Sequence, residues 1–149
     1  MARIVHGSNT IDIDCPPEQV FDFVANFEND AQWRSEVKEM RFLEPGGVRL
    51  GQKNRERAAV WGQTMVTVTV ITELQPGRKV KVETESGPVP VTVVRTCEPV
   101  NGGTRFTYTM DGDLTAKPLF RIFSFILVPY YRRQLAGYLQ KLKEIMERR

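Results

Sequence analysis

Histidine and cysteine are scarce in this chain, which has one imidazole, His6, and two thiols, Cys15 and Cys97, in 149 residues. A single histidine excludes a multi-histidine metal site and makes a Ser-His-Asp triad a poor reading. The two cysteines are far apart and lack paired-ligand spacing, so in a reducing compartment they read as small buried apolar residues. Neither a metal nor a cofactor is expected.

Long apolar runs are also missing. The richest stretch, residues 119–128, falls far short of the ~20 residues that span a bilayer. The opening Met1-Ala2-Arg3-Ile4-Val5-His6-Gly7-Ser8 has neither the apolar core nor the small-residue cleavage site of a secretory signal. The expectation is a cytoplasmic protein with no transmembrane segment, which leaves a peripheral membrane contact open. No low-complexity tract, internal repeat or charge block interrupts the chain, so residues 1–149 read as one domain with one core. Gly46-Gly47 and Gly102-Gly103 sit in hairpin-type turns, with no following helix start to receive a phosphate. The formal net charge of +3 is mild, and basic residues alternate with acids, as in Lys38-Glu39 and Arg55-Glu56-Arg57. That is no footprint for nucleic acid.

What the sequence does hold is alternation. Over residues 4–15, Val5, Ile11, Ile13 and Cys15 share one parity and His6, Ser8, Thr10, Asp12 and Asp14 the other, which predicts a half-buried strand at or near a sheet edge with His6 solvated. Pro16-Pro17 stops that strand and suits the first turn of a helix over 18–25, with Val20, Phe21, Phe23 and Val24 as its apolar face. A short, broken helical piece holding Trp33 follows over 26–35. Strands are expected over 37–43, 51–60, 64–74, 79–85, 89–97 and 104–110, separated by Pro- and Gly-bearing turns.

Residues 118–149 read as one long helix. Its first half is apolar almost all round, through Leu119, Phe120, Ile122, Phe123, Phe125, Ile126, Leu127 and Val128. Beyond Pro129 the pattern narrows to a stripe of Tyr131, Leu135, Tyr138, Leu139, Leu142 and Ile145 or Met146. Pro129 predicts a kink near 125–128, or a separate short helix before it. One strand, two short helices, a run of antiparallel strands and a long helix make an α+β architecture, in which the sheet must curl around the final helix.

The polar strand 51–60 poses a choice. Lys53-Asn54-Arg55-Glu56-Arg57 alternates charge, so a sheet wrapped round a cavity turns either Asn54 and Glu56 or Arg55 and Arg57 inward. Inward charges are costly, and the favoured reading puts this strand at an open mouth with both faces wet. Phe106, Tyr108 and Met110 share the inward parity of the last strand, where Tyr108 reads first as core with a satisfied hydroxyl and second as a group that orients a carbonyl.

From Ile11-Asp12-Ile13-Asp14-Cys15-Pro16-Pro17-Glu18 through Val20-Phe21-Asp22-Phe23-Val24 to Trp33, the sequence resembles the opening of the polyketide cyclase/dehydrase branch of the START-like, birch-pollen-allergen-like (SRPBCC) superfamily. The later strand order, the Gly-Gly hairpin and the terminal helix extend the resemblance over nearly the whole chain. It implies a helix-grip fold: a seven-stranded curved antiparallel sheet wrapped around the C-terminal helix, a hydrophobic cavity between them, and two small helices closing one end. Members of that superfamily mostly bind lipids, sterols, polyketides or other apolar molecules, and share no catalytic triad.

The position of the implied cavity makes Trp33, Phe106, Tyr108, Met110, Phe120, Phe123, Ser124, Leu127 and Tyr131 the candidate ligand-binding residues. The first expectation is a carrier or binding protein for a hydrophobic small molecule. The second is a polyketide cyclase or dehydratase using Glu56, Arg57 or Tyr108 on a poly-β-carbonyl substrate. A third is an interaction module built on Leu119, Ile122, Phe125 and Ile126, and the chain is expected as monomer or homodimer.

Overall fold

The computed structural model describes residues 4–60, 62–113 and 124–148. Strand β1 covers Ile4–Ile13 and leads into helix α1, Pro17–Ala25, whose first position is a proline with its dihedral already set for a helix. Glu18 lies in the first turn, where a carboxylate complements the helix dipole. Val20, Phe21, Phe23, Val24 and Ala25 are buried. Asn26 ends α1, and its side chain accepts the Glu28 backbone N–H to start a 3-10 helix over Phe27–Gln32.

Six strands follow, namely β2 (Val37–Phe42), β3 (Lys53–Val60), β4 (Gln63–Gln75), β5 (Lys79–Ser86), β6 (Val91–Val100) and β7 (Gly103–Asp113). They form one antiparallel sheet in the order β1-β7-β6-β5-β4-β3-β2. Strands β1 and β2, neighbours in sequence, therefore occupy opposite edges, and the two short helices carry the chain from one edge to the other. Register shifts in the β2–β3 and β4–β5 pairs bend the ladder, as bulges do, and help the sheet curl.

The β6–β7 hairpin turns on Asn101 and Gly102, both with positive φ (45° and 82°), the conformation that two-residue hairpins favour. Gly103 is needed for a different reason. A Cβ there would stand 2.5 Å from the Ile13 carbonyl oxygen, so only a bare backbone lets β7 approach β1 so closely.

Helix α2, Ser124–Glu147, runs unbroken through Pro129, so no separate helix ends at that proline within the described residues. Leu135, Tyr138, Leu139, Leu142 and Met146 are buried, with Tyr131 and Ile145 packed partly against the same core. The stripe read from the sequence is the face that the sheet grips. Polar bonds tie α2 along β1: Lys143 Nζ donates to the Asp12 carbonyl at 2.8 Å, and Glu147 Oε2 accepts the Asp14 N–H at 2.9 Å. Residues 118–123, with the expectations placed on Leu119, Phe120, Ile122 and Phe123, lie outside the described residues, as do the side chains of Ser124, Phe125, Ile126, Leu127 and Val128.

Edge strand β1 behaves as its alternation predicts. Ile13 and Cys15 are buried, while His6 is exposed and its Nδ1 pairs with Asp111 Oδ1 at 2.5 Å. Cys15 and Cys97 are both buried, and no disulfide joins them.

Candidate functional site: a cavity with an ionic floor

Between the inner face of the sheet and α2 lies a cavity of about 220 Å³. Its walls are apolar, made by Met40 of β2, Ala58 of β3, Met65 of β4, Val82 of β5, Val91 and Val93 of β6, and Met110 of β7. Alternation explains the set, since each strand presents every second residue to the inside. One region is polar. There Arg34, Glu36, Glu56 and Arg95 meet Tyr108, and α2 adds Tyr130 and Tyr131.

The polar region is built on Asp30, which is fully buried in the 3-10 helix. Arg95 crosses from β6 to meet it in a two-pronged pair, Nη1 to Oδ1 at 2.9 Å and Nη2 to Oδ2 at 2.6 Å, and Nη1 also donates to the Val24 carbonyl at 2.8 Å. Phe27, Trp33 and Tyr108 surround the Arg95 guanidinium, with ring centroids 4.0, 4.9 and 5.2 Å away. Such a planar cation, satisfied by a carboxylate in its plane and by aromatic faces above it, is one of the few charges that a core accepts.

Arg34 follows four residues after Asp30 and donates to it through Nη1 at 2.9 Å. The same nitrogen reaches Glu56 Oε2 at 3.0 Å, and Nη2 reaches Glu36 Oε1 at 3.2 Å. Burial works against the charge on both arginines. For Arg34 the neighbouring Tyr108, Glu56 and Asp30 more than offset it and push the guanidinium well above its ordinary value, and Asp30 likewise raises that of Arg95.

Several polar groups at this end stay without a good partner among the described residues: the Tyr131 hydroxyl, Nε of Arg34 and Nε of Arg95, and both ends of the Asn54 amide. Burial drives the Tyr131 phenol well above its ordinary value, with Tyr108 beside it adding to the effect, so it stays protonated and serves as a donor.

The polar strand of the sequence takes one of its two options. Asn54 is fully buried and Glu56 lines the cavity, so the reading of β3 as a strand wet on both faces is corrected. The cost that argued against it is met by Arg34, a partner from outside the sheet that alternation within β3 does not reveal. Arg57, on the other parity with Arg55, is not among the cavity residues, since a one-residue step on a strand reverses the face.

Of the other candidates, Tyr108, Met110 and Tyr131 line the cavity. Phe106 is fully buried and absent from the lining, packed edge-on to Trp33 at 6.3 Å between centroids. Trp33 faces a different space, a more open groove of about 580 Å³ between the 3-10 helix and α2, which also includes Arg133, Gly137, Tyr138 and Lys141. The cavity, not this larger groove, brings buried polar and apolar groups together. Phe120 and Phe123 lie outside the described residues, and the side chains of Ser124 and Leu127 are likewise outside them.

Sequence reasoning missed Asp30, Arg34 and Arg95. The signal for Arg95 was present: it shares the inward parity of β6 with Val93 and Cys97, the least expected place for a lone cation. No group of three or more metal-ligating side chains occurs among the described residues.

A gripping sheet, a central helix and an internal cavity define a superfamily-level fold, and the sequence decides which branch. Residues 5–147 match the model of the family described as polyketide cyclase / dehydrase and lipid transport. The chain belongs to that family. None of the curated proteins matches it. Among solved structures, the chain is similar to the Zhui aromatase/cyclase from Streptomyces sp. R1128, at 18% identity over 99% of this chain and 96% of that one, with a TM-score of 0.81. It is also similar to TTHA0849 from Thermus thermophilus, at 18% identity over 93% of this chain and 94% of the other, with a TM-score of 0.80. The major latex-like protein 151 of Panax ginseng gives 10% identity over 96% of this chain and 97% of that one, with a TM-score of 0.71. At these identities the likeness concerns the fold and bears out the helix-grip reading, while the family match bears out the SRPBCC reading of the sequence.

Proposed function

We propose that this member of the family binds a hydrophobic small molecule, a polyketide, lipid or similar compound, in the cavity between the sheet and α2. The observation that carries the reading is the composition of the cavity: valines, methionines and an alanine from six strands on the walls, and a fixed set of donors and carboxylates at one place. Pockets that hold apolar ligands have this make-up, with the apolar area supplying affinity and a few polar groups supplying orientation. Methionine walls also adapt to irregular shapes.

A second reading, cyclisation or dehydration of a poly-β-carbonyl chain, is favoured by one feature. Glu56, Tyr108 and Tyr131 converge on the same cavity, and Tyr131 is held protonated where it can donate to a carbonyl oxygen.

Native mass spectrometry of the purified protein before and after organic extraction tests the binding function. The expected result is an added mass that extraction removes and that apolar probes compete away. A protein that releases nothing and takes up no apolar probe would overturn the proposal. Turnover of a poly-β-carbonyl substrate, abolished in Tyr131→Phe with ligand uptake retained, is the outcome that selects the second reading.

A further inference from the structure

We infer that the Arg34 cluster is an acid filter: it admits neutral, acceptor-bearing apolar molecules such as ketones and esters and rejects the corresponding carboxylic acids. The inference rests on the binding function proposed above and concerns which chemical class fills the cavity.

Among the described residues Arg34 and Arg95 are the cations that line the cavity, and their terminal nitrogens already face acceptors. Nη1 of Arg34 is shared by Asp30 and Glu56 and Nη2 is taken by Glu36, while both terminal nitrogens of Arg95 hold Asp30. The cluster therefore counts three carboxylates against two guanidiniums, an excess of negative charge. Glu36 and Glu56 are the two that line the cavity itself.

An entering carboxylate meets those two glutamates, and among the described residues every terminal guanidinium nitrogen of the cluster already holds a carboxylate. To be paired by the terminal nitrogens of Arg34, it would have to displace Glu36, Glu56 or Asp30 and leave a largely buried carboxylate unpaired, and at any other point of the cluster it adds a fourth negative charge beside two cations. The donors left without a good acceptor among the described cavity residues include Nε of Arg34, Nε of Arg95 and the hydroxyl of Tyr131, which has only the neighbouring Tyr108 beside it. A carbonyl oxygen offers two lone pairs and no charge, and it suits such donors without disturbing the ion pairs. Glu56 is thus a specificity-determining residue, acting through its charge and its hold on Arg34.

The test compares 2-undecanone with undecanoate by calorimetric titration of the full chain at neutral pH. The ketone is expected to bind about tenfold tighter or better, as like-charge juxtaposition predicts. In Glu56→Gln, which keeps the size of the side chain, the preference should shrink by roughly threefold or more, because one charge is lost and Arg34 Nη1 is partly released. Should that variant fold poorly, Glu36→Gln reads the same effect from the other glutamate. Undecanoate binding as well as or better than the ketone overturns the filter and leaves the binding function standing. A ketone preference unchanged in both variants also overturns it, because the discrimination would then lie elsewhere. Failure of both compounds to bind overturns the filter together with the function on which it rests.

Discussion

Arg95 is the residue on which the interior depends most. It is fully buried, and so is its partner Asp30, so neither can be removed without stranding the other. Asp30→Asn is expected to cost about 3–5 kcal/mol in chemical denaturation, the range for breaking a buried pair on one side. Combining it with Arg95→Met should cost less than the two single changes together, because the double variant leaves fewer charges unpaired. Strict additivity would show that the pair is not coupled. Cys97 gives a second test at this scale. Burial pushes its thiol from 9.0 up to about 12, so the folded chain holds a proton that the unfolded chain loses from about pH 9 upward. Stability from this group is complete below pH 9 and is lost as the pH rises towards 12. A melting-temperature profile should decline from about pH 9, and Cys97→Val should remove the earliest part of that decline, leaving what the buried tyrosines cause at higher pH.

Among the elements, α2 and β3 show what local patterning reveals and what it leaves out. The stripe Leu135, Tyr138, Leu139, Leu142 and Met146 was legible because a helix gripped on one side must repeat its apolar residues at helical spacing. The edge position of β1 was legible for the equivalent reason in a strand. Alternation alone could not orient β3, since Asn54 and Glu56 are as polar as Arg55 and Arg57. The decision comes from Arg34, which is distant in sequence and adjacent only after folding. The ionic floor shows the same limit, because Asp30 and Arg95 are 65 residues apart and pair across the core. A prediction at this scale concerns Gly137, a helical residue whose added Cβ would meet nothing within 4 Å. Gly137→Ala should stabilise the chain by about 0.5–1 kcal/mol, the propensity difference in an unobstructed helix, read as a higher denaturation midpoint. A lower midpoint would mean that the helix surface there is already in use.

For the whole molecule, the topology separates two tasks. Strands β1 and β7 and the C-terminal half of α2 form the rigid grip, with Ile13, Phe106, Leu139 and Leu142 packed almost without exposure. Strands β2 to β6, together with Tyr108 and Met110 of β7, wall the cavity beside that grip, and Phe27 of the 3-10 helix with Arg34 and Glu36 just after it adds to its polar end. No helix among the described residues is long and apolar enough to cross a membrane. If the space between sheet and helix receives an apolar molecule, a titration with the neutral fluorophore Prodan reads it most directly. Wild type is expected to bind saturably with a blue-shifted emission, and Met110→Trp, which fills the cavity from β7, is expected to lose that binding while keeping a cooperative melting transition. Saturable binding of equal strength in the filled variant, or none in wild type, would contradict the account.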